Sequence, residues 1–195
     1  MIVTLLANGF EEIEALAPVD ILRRAGLDVK TCSIGEREVI GAHGIRVLAD
    51  LTEDELDISK VDMLILPGGM PGATNLDASP LTDALINEVT SKGGRLAAIC
   101  AAPLVLGRRG LLKGKRATCY PGFEDELLGA TATGEGVVTD GNITTAKGMG
   151  VALEFAKELV RLTLGEKKAA EISASIMEKN IRKAPETMPC ETYEI

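Results

Sequence analysis

Residues 95–103 read Arg-Leu-Ala-Ala-Ile-Cys-Ala-Ala-Pro, and this stretch decides the fold. Residues 96–99 are apolar without polar alternation, which is typical of a parallel strand covered on both faces. Cys100 ends the run, and small residues then lead through Pro103 into a helical pattern. The order of strand, turn and helix predicts that Cys100 lies at the carboxyl edge of a sheet, where open α/β folds form their sites.

The same alternation of apolar runs and helical patterns continues along the chain. Strands are predicted at residues 2–7, 27–33, 63–66, 95–100, 116–119 and 143–146, and helices at 12–25, 80–92, 101–109, 150–164 and from 166 to about 180. Two hairpins are predicted, one joining residues 38–40 to 45–48 and one joining 136–139 to Ile143. These elements predict an α/β fold, a doubly wound sandwich with a mainly parallel central sheet.

Length and charge narrow the possible classes. A chain of 195 residues with 46% hydrophobic side chains fits one domain, predicted for residues 1–180 and followed by a tail at 181–195. The net charge of -8 disfavours nucleic acid and anionic membranes as partners, and favours small molecules or proteins. No apolar run approaches the roughly 18–20 residues of a membrane span, and the chain begins directly with a predicted strand. A cytoplasmic location is therefore predicted.

The four cysteines are widely spaced, at positions 32, 100, 119 and 190, without a Cys-x-x-Cys motif or a Cys/His cluster. This spacing predicts reduced thiols, no disulfide framework and no metal site. Cys32, inside a predicted strand, is interpreted as a core residue. Cys119 ends another predicted strand and could act near Cys100 as a resolving thiol. Cys190, in the tail, is interpreted as incidental.

Cys100 is the strongest candidate for chemistry. Free N–H groups and the dipole at a helix start favour a thiolate, so the turn predicts an acidic, nucleophilic cysteine. The alternative is a small buried hydrophobe. His43 is the single histidine and falls in a predicted hairpin tip, where a solvated turn residue is expected. No histidine follows Cys100, so a cysteine-protease or amidotransferase triad is not expected.

A carboxyl group is the remaining candidate partner for the thiol. Glu11, Glu12 and Glu14 follow the first predicted strand at the same sheet edge. Glu11 and Glu12 are interpreted as surface charges that complement the helix dipole, with catalysis as the alternative. Glu14 has apolar residues three, four and seven positions further on, so it is predicted on a packed face. Burial there raises a carboxyl pKa, and a neutral Glu14 can donate a hydrogen bond to a thiolate.

A glycine-rich turn follows a third buried strand. Residues 66–72 read Leu-Pro-Gly-Gly-Met-Pro-Gly. Paired glycines permit positive φ and close backbone approach, and their N–H groups could hold an anion or an oxyanion. The alternative is a tight connection between strand and helix. This turn shares the predicted sheet edge with Cys100.

Together these motifs resemble the ThiJ/PfpI superfamily, specifically its DJ-1 branch, over residues 2 to 177. The resemblance is carried by Glu-Glu-Ile-Glu at 11–14 with Pro-Val-Asp at 18–20, Arg-Arg-Ala-Gly at 23–26, Val-Asp at 61–62 through Leu-Pro-Gly-Gly at 66–69, Ala-Ala-Ile-Cys-Ala-Ala-Pro at 97–103, and Thr-Thr-Ala-Lys-Gly at 144–148 before Glu-Phe-Ala at 154–156.

The resemblance implies a flavodoxin-like three-layer sandwich that forms a homodimer. It implies that Cys100 is the reactive, oxidation-prone cysteine and Glu14 its protonated partner, with N–H groups of Gly69 and Ala101 forming an oxyanion pocket. The chain departs from the family at Tyr120-Pro121, where many members carry His-Pro, and at Ala101, where a peptidase-like branch carries histidine. Tyr120 is left as an accessory hydrogen-bond donor, and Gly68 as a second accessory residue.

Two functions remain open. The first is a glyoxalase- or deglycase-like enzyme, in which the Cys100 thiolate attacks a small α-oxoaldehyde or its early adduct on a protein while Glu14 transfers a proton. The chemistry requires no cofactor and no metal. The second is an oxidative-stress sensor or holding chaperone controlled by Cys100 oxidation without turnover. The absence of the family histidine favours the second, because oxidation needs only an acidic thiolate.

Overall fold

A computed structural model describes residues 1–177. Strands are β1 Ile2–Leu6, β2 Val29–Ser33, β3 Glu38–Ile40, β4 Arg46–Leu48, β5 Leu51–Thr52, β6 Met63–Leu66, β7 Arg95–Ile99, β8 Arg116–Ala117, β9 Thr131–Ala132, β10 Val137–Asp140 and β11 Ile143–Ala146. Helices are α1 Glu12–Arg24, α2 Gly72–Ala78, α3 Pro80–Ser91, α4 Pro103–Arg108, α5 Ala152–Leu164 and α6 Glu166–Ser175.

Seven strands form the central sheet in the order β10-β11-β7-β6-β1-β2-β5. Every neighbouring pair is parallel except β10 with β11, which form the second predicted hairpin. The first predicted hairpin is also present, as the antiparallel pair β3 and β4. The predicted α/β sandwich with a mainly parallel sheet is therefore confirmed.

The continuous apolar strands are explained by helices on both faces of the sheet. In β6, Leu64 and Leu66 pack in one core cluster, and Met63 and Ile65 pack in the other, since successive side chains point to opposite faces. The first cluster includes residues of α2, α3 and α4, and the second includes residues of α1, α5 and α6. Two buried cores thus enclose one sheet, in three layers.

The register of the parallel strands sets the position of the site. Leu66 of β6 pairs with Ala98 of β7, so the loops that follow these strands leave the sheet at one edge. β1 lies beside β6, and its loop leads to α1 at that same edge. The chain order reverses direction across β1 and β6, which is where α/β sheets form a crevice for ligands.

Several predicted boundaries were wrong. The strand predicted at 116–119 is only β8, and it pairs with β9 in a separate two-stranded sheet. Thr118 leaves the strand because its N–H donates to Thr145 Oγ1 and its hydroxyl donates to the Glu135 carbonyl. The helix predicted from 101 begins at Pro103, a residue suited to the first helical position. The sequence analysis also missed α2.

The final predicted helix is α6, which ends at Ser175. The helix does not continue into Ile176 and Met177 as expected, because these residues form a turn in which Met177 has φ 55. Residues 178–180, the tail at 181–195 and Cys190 lie outside the described residues. Within residues 1–177, none of the helices has both the length and the apolar character needed to cross a bilayer.

Candidate active site

Cys100 occupies a strained turn between β7 and α4. Its φ is 65, in the left-handed region that residues other than glycine rarely adopt and that costs about 1–3 kcal/mol. Its N–H donates to the Ala146 carbonyl at 2.8 Å, and its carbonyl accepts the Tyr120 N–H at 2.8 Å. The side chains next to it are the buried methyl groups of Ala101 and Ala102. Two hydrogen bonds to distant segments therefore hold the backbone of Cys100 in this strained conformation.

Glu14 approaches Cys100 from α1. Its side chain is 1% exposed, although it is an ionisable group. The Gly68 N–H donates to its Oε2 at 3.1 Å, and a second bond comes from the backbone of Met149. The carboxyl and the Cys100 thiol also interact as hydrogen-bonding partners. The structure therefore brings together the two residues that the sequence analysis had paired, with Glu14 on the packed helix face that was predicted.

Gly68 lies against both Glu14 and Cys100. A β-carbon at this position would lie 2.6 Å from Glu14 Oε2 and 2.6 Å from Cys100 Cβ, closer than real contacts allow. Gly69, with φ 86, has no room either, since a β-carbon would lie 2.4 Å from the Glu11 backbone nitrogen. Both glycines are needed because the loop after β6 passes against the start of α1 and against Cys100.

Two backbone donors act on the sulfur. The N–H groups of Gly69 and Ala101 both form hydrogen bonds with Cys100 that favour its charged form. These are the two groups that the family resemblance implied for an oxyanion pocket. Because they already lie at the thiol, they would also lie close to an oxygen on a carbon bonded to that sulfur.

Burial dominates the ionisation of the pair. It raises the pKa of Glu14 to about 7, against hydrogen bonds from Cys100, Gly68 and Met149, while the charge of Glu11 adds to the rise. Burial, and next the charge on an ionised Glu14, raise the pKa of Cys100 to about 12. Each ionisation therefore opposes the other, so the pair loses its first proton near pH 7 and carries at most one negative charge near neutral pH.

That charge is better solvated on the sulfur than on the carboxyl. Each of the two groups has two backbone donors, so the difference between them is exposure: Cys100 is partly exposed, whereas Glu14 is almost completely buried. The expected acidic thiol thus depends on a neutral Glu14, since an ionised Glu14 acts in the opposite direction. The helix dipole contributes less than the sequence suggested, because α4 starts three residues after Cys100 and is 6 residues long.

The other two thiols that the structure describes are held in the neutral form. Burial raises the pKa of Cys32 to about 12 and that of Cys119 to about 11. Cys32 is in the core of the sheet, as predicted. Cys119 lies beyond the end of β8 rather than at a strand end, and its resolving role stays a prediction.

The three groups Glu11, Glu12 and His43 form a second polar cluster at the start of α1. Glu11 caps the helix by accepting the Glu14 N–H at 2.7 Å. Glu12 was expected on the surface but is 4% exposed. It accepts the His43 N–H at 2.8 Å and lies 2.9 Å from His43 Nδ1. His43 itself lies in the hairpin tip, exposed, as predicted.

The potential ligand atoms of this cluster lie within 4.8 Å of one another, a spacing that could hold a metal ion. His43 already binds both oxygens of Glu12, however, so a metal would have to displace these bonds. Although burial acts to raise it, the bonds from His43 hold the pKa of Glu12 below its ordinary value. The Glu12 hydrogen bond raises the pKa of His43. The cluster joins the β3–β4 hairpin to the start of α1, next to Glu11, which caps the helix by accepting the Glu14 N–H.

A cavity of about 370 Å³ lies beside the pair, and we call it the Tyr120 cavity. It is lined by Tyr120, Pro121, Lys147, Gly148, Met149, Gly150 and Val151. Tyr120 was proposed from the sequence, whereas residues 147–151 were not recognised there as part of a site. The available signal was a glycine-rich stretch directly after the strand β11, which ends at the same sheet edge as β7.

Comparisons with known proteins agree with this architecture. A sequence model of the DJ-1/PfpI family matches residues 1–162. DJ-1 homolog B of Arabidopsis thaliana is 39% identical over 175 residues, 88% of this chain but only 40% of the plant protein's length. Deglycase PfpI of Pyrococcus furiosus is 33% identical over 164 residues, 83% of this chain and 98% of that protein. The structure of oxidized DJ-1 from Toxoplasma gondii superposes with a TM-score of 0.86 at 33% identity, covering 90% of this chain and 97% of the other.

Proposed function

The chain belongs to the DJ-1/PfpI family, and from this premise we propose that it is a cysteine-dependent enzyme acting on reactive α-oxoaldehydes or their early adducts. The observation that carries the proposal is the Glu14–Cys100 pair, in which a buried carboxyl and a partly exposed thiol share one charge. The deglycase name of a relative that matches 83% of this chain supports the same substrate class. The reaction uses no cofactor.

The first step is attack on the aldehyde. The Cys100 sulfur forms a bond to the aldehyde carbon, and the carbonyl electron pair moves to its oxygen. A neutral Glu14 gives its proton to that oxygen, which leaves a hemithioacetal and a Glu14 carboxylate. The N–H groups of Gly69 and Ala101 stabilise the oxygen while it is negatively charged. A carboxyl with a pKa of about 7 is suited to this transfer, since it can hold or release a proton near neutral pH.

The second step moves hydrogen within the adduct. Glu14 removes the proton from the carbon bonded to sulfur and returns it to the neighbouring ketone carbon, while the hydroxyl proton passes to the ketone oxygen. The first carbon is oxidised to a thioester and the second is reduced to an alcohol, so no external oxidant is needed. Water then attacks the thioester, the carbon–sulfur bond breaks, and a 2-hydroxy acid leaves. For methylglyoxal the product is lactate, and one proton passes to the solvent.

The test is turnover of methylglyoxal to lactate by the wild type and by Cys100→Ser. We expect lactate from the wild type and none above background from Cys100→Ser. Cys190→Ser is the matched control, because it removes a thiol from outside the described residues, and it should retain wild-type turnover. A wild type without turnover, or a Cys100→Ser variant with full turnover, would overturn the proposal.

The second candidate function is sensing of peroxide through Cys100, leading to a sensor or holding-chaperone role. The partial exposure of Cys100 favours it, as does the oxidized state of the Toxoplasma relative. The thiolate attacks peroxide to give a sulfenate, and a second peroxide gives a sulfinate, with one water released at each step. Gain of two oxygens by wild type but not by Cys100→Ser, measured by intact mass after mild peroxide, tests this candidate. No gain by the wild type would exclude it.

A homodimer is also proposed, through the exposed side of α1 and α5. Ile13 and Leu16 lie about one turn apart on α1 and are 50% and 36% exposed. Leu153 is 48% exposed at the start of α5, which packs alongside α1. Exposed apolar side chains grouped in this way are typical of an interface. Sedimentation of the wild type and of Ile13→Glu tests it: a dimer that becomes a monomer supports the proposal, and a monomeric wild type contradicts it.

A further inference from the structure

The Tyr120 cavity lies next to the Glu14–Cys100 pair, from which its lining residues Tyr120 and Gly148 separate it. The Tyr120 N–H donates to the Cys100 carbonyl at 2.8 Å, which places the start of this side chain next to the nucleophile. A β-carbon on Gly148 would lie 3.4 Å from the Tyr120 ring and 3.8 Å from Glu14 Oε1. Gly148 therefore lies between the ring and the carboxyl. The backbone of Met149, the next residue, bonds to Glu14.

The walls of the cavity are mainly apolar. Tyr120 is 51% exposed and Met149 is 50% exposed, so both retain apolar surface that water covers unfavourably. Pro121 and Val151 continue this surface. Lys147 is the single charged residue of the lining, and its Nζ donates to the Gly134 carbonyl at 3.3 Å. An aromatic or extended alkyl group would bury the Tyr120 and Met149 surfaces together.

The size of the cavity exceeds what the smallest oxoaldehydes use. Its volume of about 370 Å³ is within the range of about 300–1,000 Å³ typical of small-molecule sites. The methyl group of methylglyoxal would leave most of this space to water. A phenyl ring or a longer chain on the ketone carbon would displace that water from apolar walls while its aldehyde carbon stays at Cys100.

We propose that the Tyr120 cavity binds the substituent of the substrate, and that the preferred α-oxoaldehydes carry an aromatic or extended apolar group. This inference rests on the proposed function, since it assumes that Cys100 attacks the aldehyde. The cavity then sets specificity: part of the binding energy of the substituent holds the aldehyde carbon next to the sulfur.

Gly150 offers a way to fill the cavity. A β-carbon there meets no atom within 4 Å, and its φ lies outside the left-handed region, so a side chain can be added without backbone strain. Gly150→Phe adds a ring at a residue of the cavity lining, where it would compete with the substituent for space. Gly150→Ala is the matched control, because it adds only a methyl group.

The first measurement is the ratio of kcat/KM for phenylglyoxal to kcat/KM for methylglyoxal. We expect this ratio to favour phenylglyoxal in the wild type and to fall by about tenfold or more in Gly150→Phe, with a much smaller decrease in Gly150→Ala. Met149→Ala, which removes apolar wall rather than filling space, should also lower the ratio. If Gly150→Phe does not fold, Met149→Ala alone decides. An equal ratio in the wild type and the folded variants would overturn the inference while the proposed function stands.

The second measurement does not require turnover. Cys100 is alkylated with iodoacetamide and with its N-benzyl derivative, and the ratio of the two rates is compared between wild type and Gly150→Phe. We expect the rate with the N-benzyl reagent, relative to the rate with iodoacetamide, to be high in the wild type and about tenfold lower in Gly150→Phe. If this change occurs in a protein that turns over no oxoaldehyde, the cavity inference holds and the proposed function fails. A rate ratio that does not change would overturn the inference.

Discussion

Gly68 donates its N–H to Glu14 Oε2 at 3.1 Å, and a β-carbon on Gly68 would lie 2.6 Å from that same oxygen. The hydrogen bond and the lack of space for a side chain both follow from the close approach of the Gly68 backbone to Glu14. The missing side chain of this glycine thus leaves the space in which the carboxyl and the thiol meet.

Gly68→Ala should separate the pair. The added methyl group forces Glu14 and Cys100 apart, so we expect turnover to fall by about tenfold or more and the free energy of unfolding to fall by about 1–3 kcal/mol. Steady-state assays and urea unfolding measure the two effects. Gly150→Ala is the stability control, because open space surrounds Gly150. Wild-type turnover in Gly68→Ala would show that the pair tolerates a wider separation.

Substitutions of Glu14 should reveal which atom carries the shared charge. In the wild type we expect Cys100 alkylation to rise through the first ionisation of the pair, near pH 7, below the free-thiol value of about 8.5. Glu14→Gln keeps a donor and has no charge, so the pKa of Cys100 should stay within about one unit. Glu14→Leu removes the donor and should raise the pKa of Cys100 above its wild-type value.

The measurement is the pH profile of the alkylation rate with iodoacetamide. A lower Cys100 pKa in Glu14→Leu would mean that Glu14 is the anion in the wild type, contrary to our assignment. Turnover should be lost in both variants, because neither side chain can give up and regain a proton.

Two variants at Cys100 test the strain of its backbone. With φ at 65, alanine pays the same steric cost as cysteine, whereas glycine does not. We expect Cys100→Gly to be more stable than Cys100→Ala by about 0.5–1 kcal/mol, after allowing for the greater freedom of glycine in the unfolded chain. Urea unfolding measures the difference. Equal stability, or a more stable alanine variant, would argue against a strained turn.

The Glu12–His43 contact should stabilise the fold over a limited pH range. The folded-state pKa of His43 is raised, so its contribution is complete below its ordinary value of 6.5 and is lost as the pH rises through the folded value. The pKa of Glu12 is lowered, so its contribution is present above its ordinary value of 4.5 and is lost as the pH falls through the folded value. Both contributions to stability are therefore present between the ordinary pKa values of the two groups, 4.5 for Glu12 and 6.5 for His43.

His43→Asn should therefore reduce the midpoint of thermal unfolding more near pH 5.5 than near pH 8.5. Lys167→Asn, a substitution of an exposed cation on α6, is the comparison. A loss that is the same at both pH values would show that the imidazole charge contributes nothing to the contact.

The sequence predicted the features that depend on local pattern. Apolar runs identified β1, β6 and β7, and the helical neighbours of Glu14 predicted its burial. The loss of strand pairing at Thr118 was not predictable, because it depends on a side chain of β11. The burial of Glu12 was missed for a similar reason, since the hairpin that covers it begins more than twenty residues later. Local sequence carries no record of such long-range contacts.

The candidate site likewise combines residues that local sequence predicts with features that depend on long-range contacts. Cys100, Glu14 and the glycine pair each stand out within a few residues of sequence. The Tyr120 cavity does not, because its walls come from two segments that meet only when β11 pairs with β7. The positive φ of Cys100 was likewise not predictable, since the bonds that hold it involve Ala146 and Tyr120.

Those two bonds connect the nucleophile's peptide to segments that lie 46 and 20 positions further along the chain. The Cys100 amide hydrogen exchanges with solvent only when its bond to Ala146 at the end of β11 opens, and the second bond, from Tyr120, still holds the peptide when the first is broken. Loss of activity on heating should then coincide with loss of the entire fold. On heating, we expect no temperature range in which the Cys100 turn is lost while the rest of the fold persists.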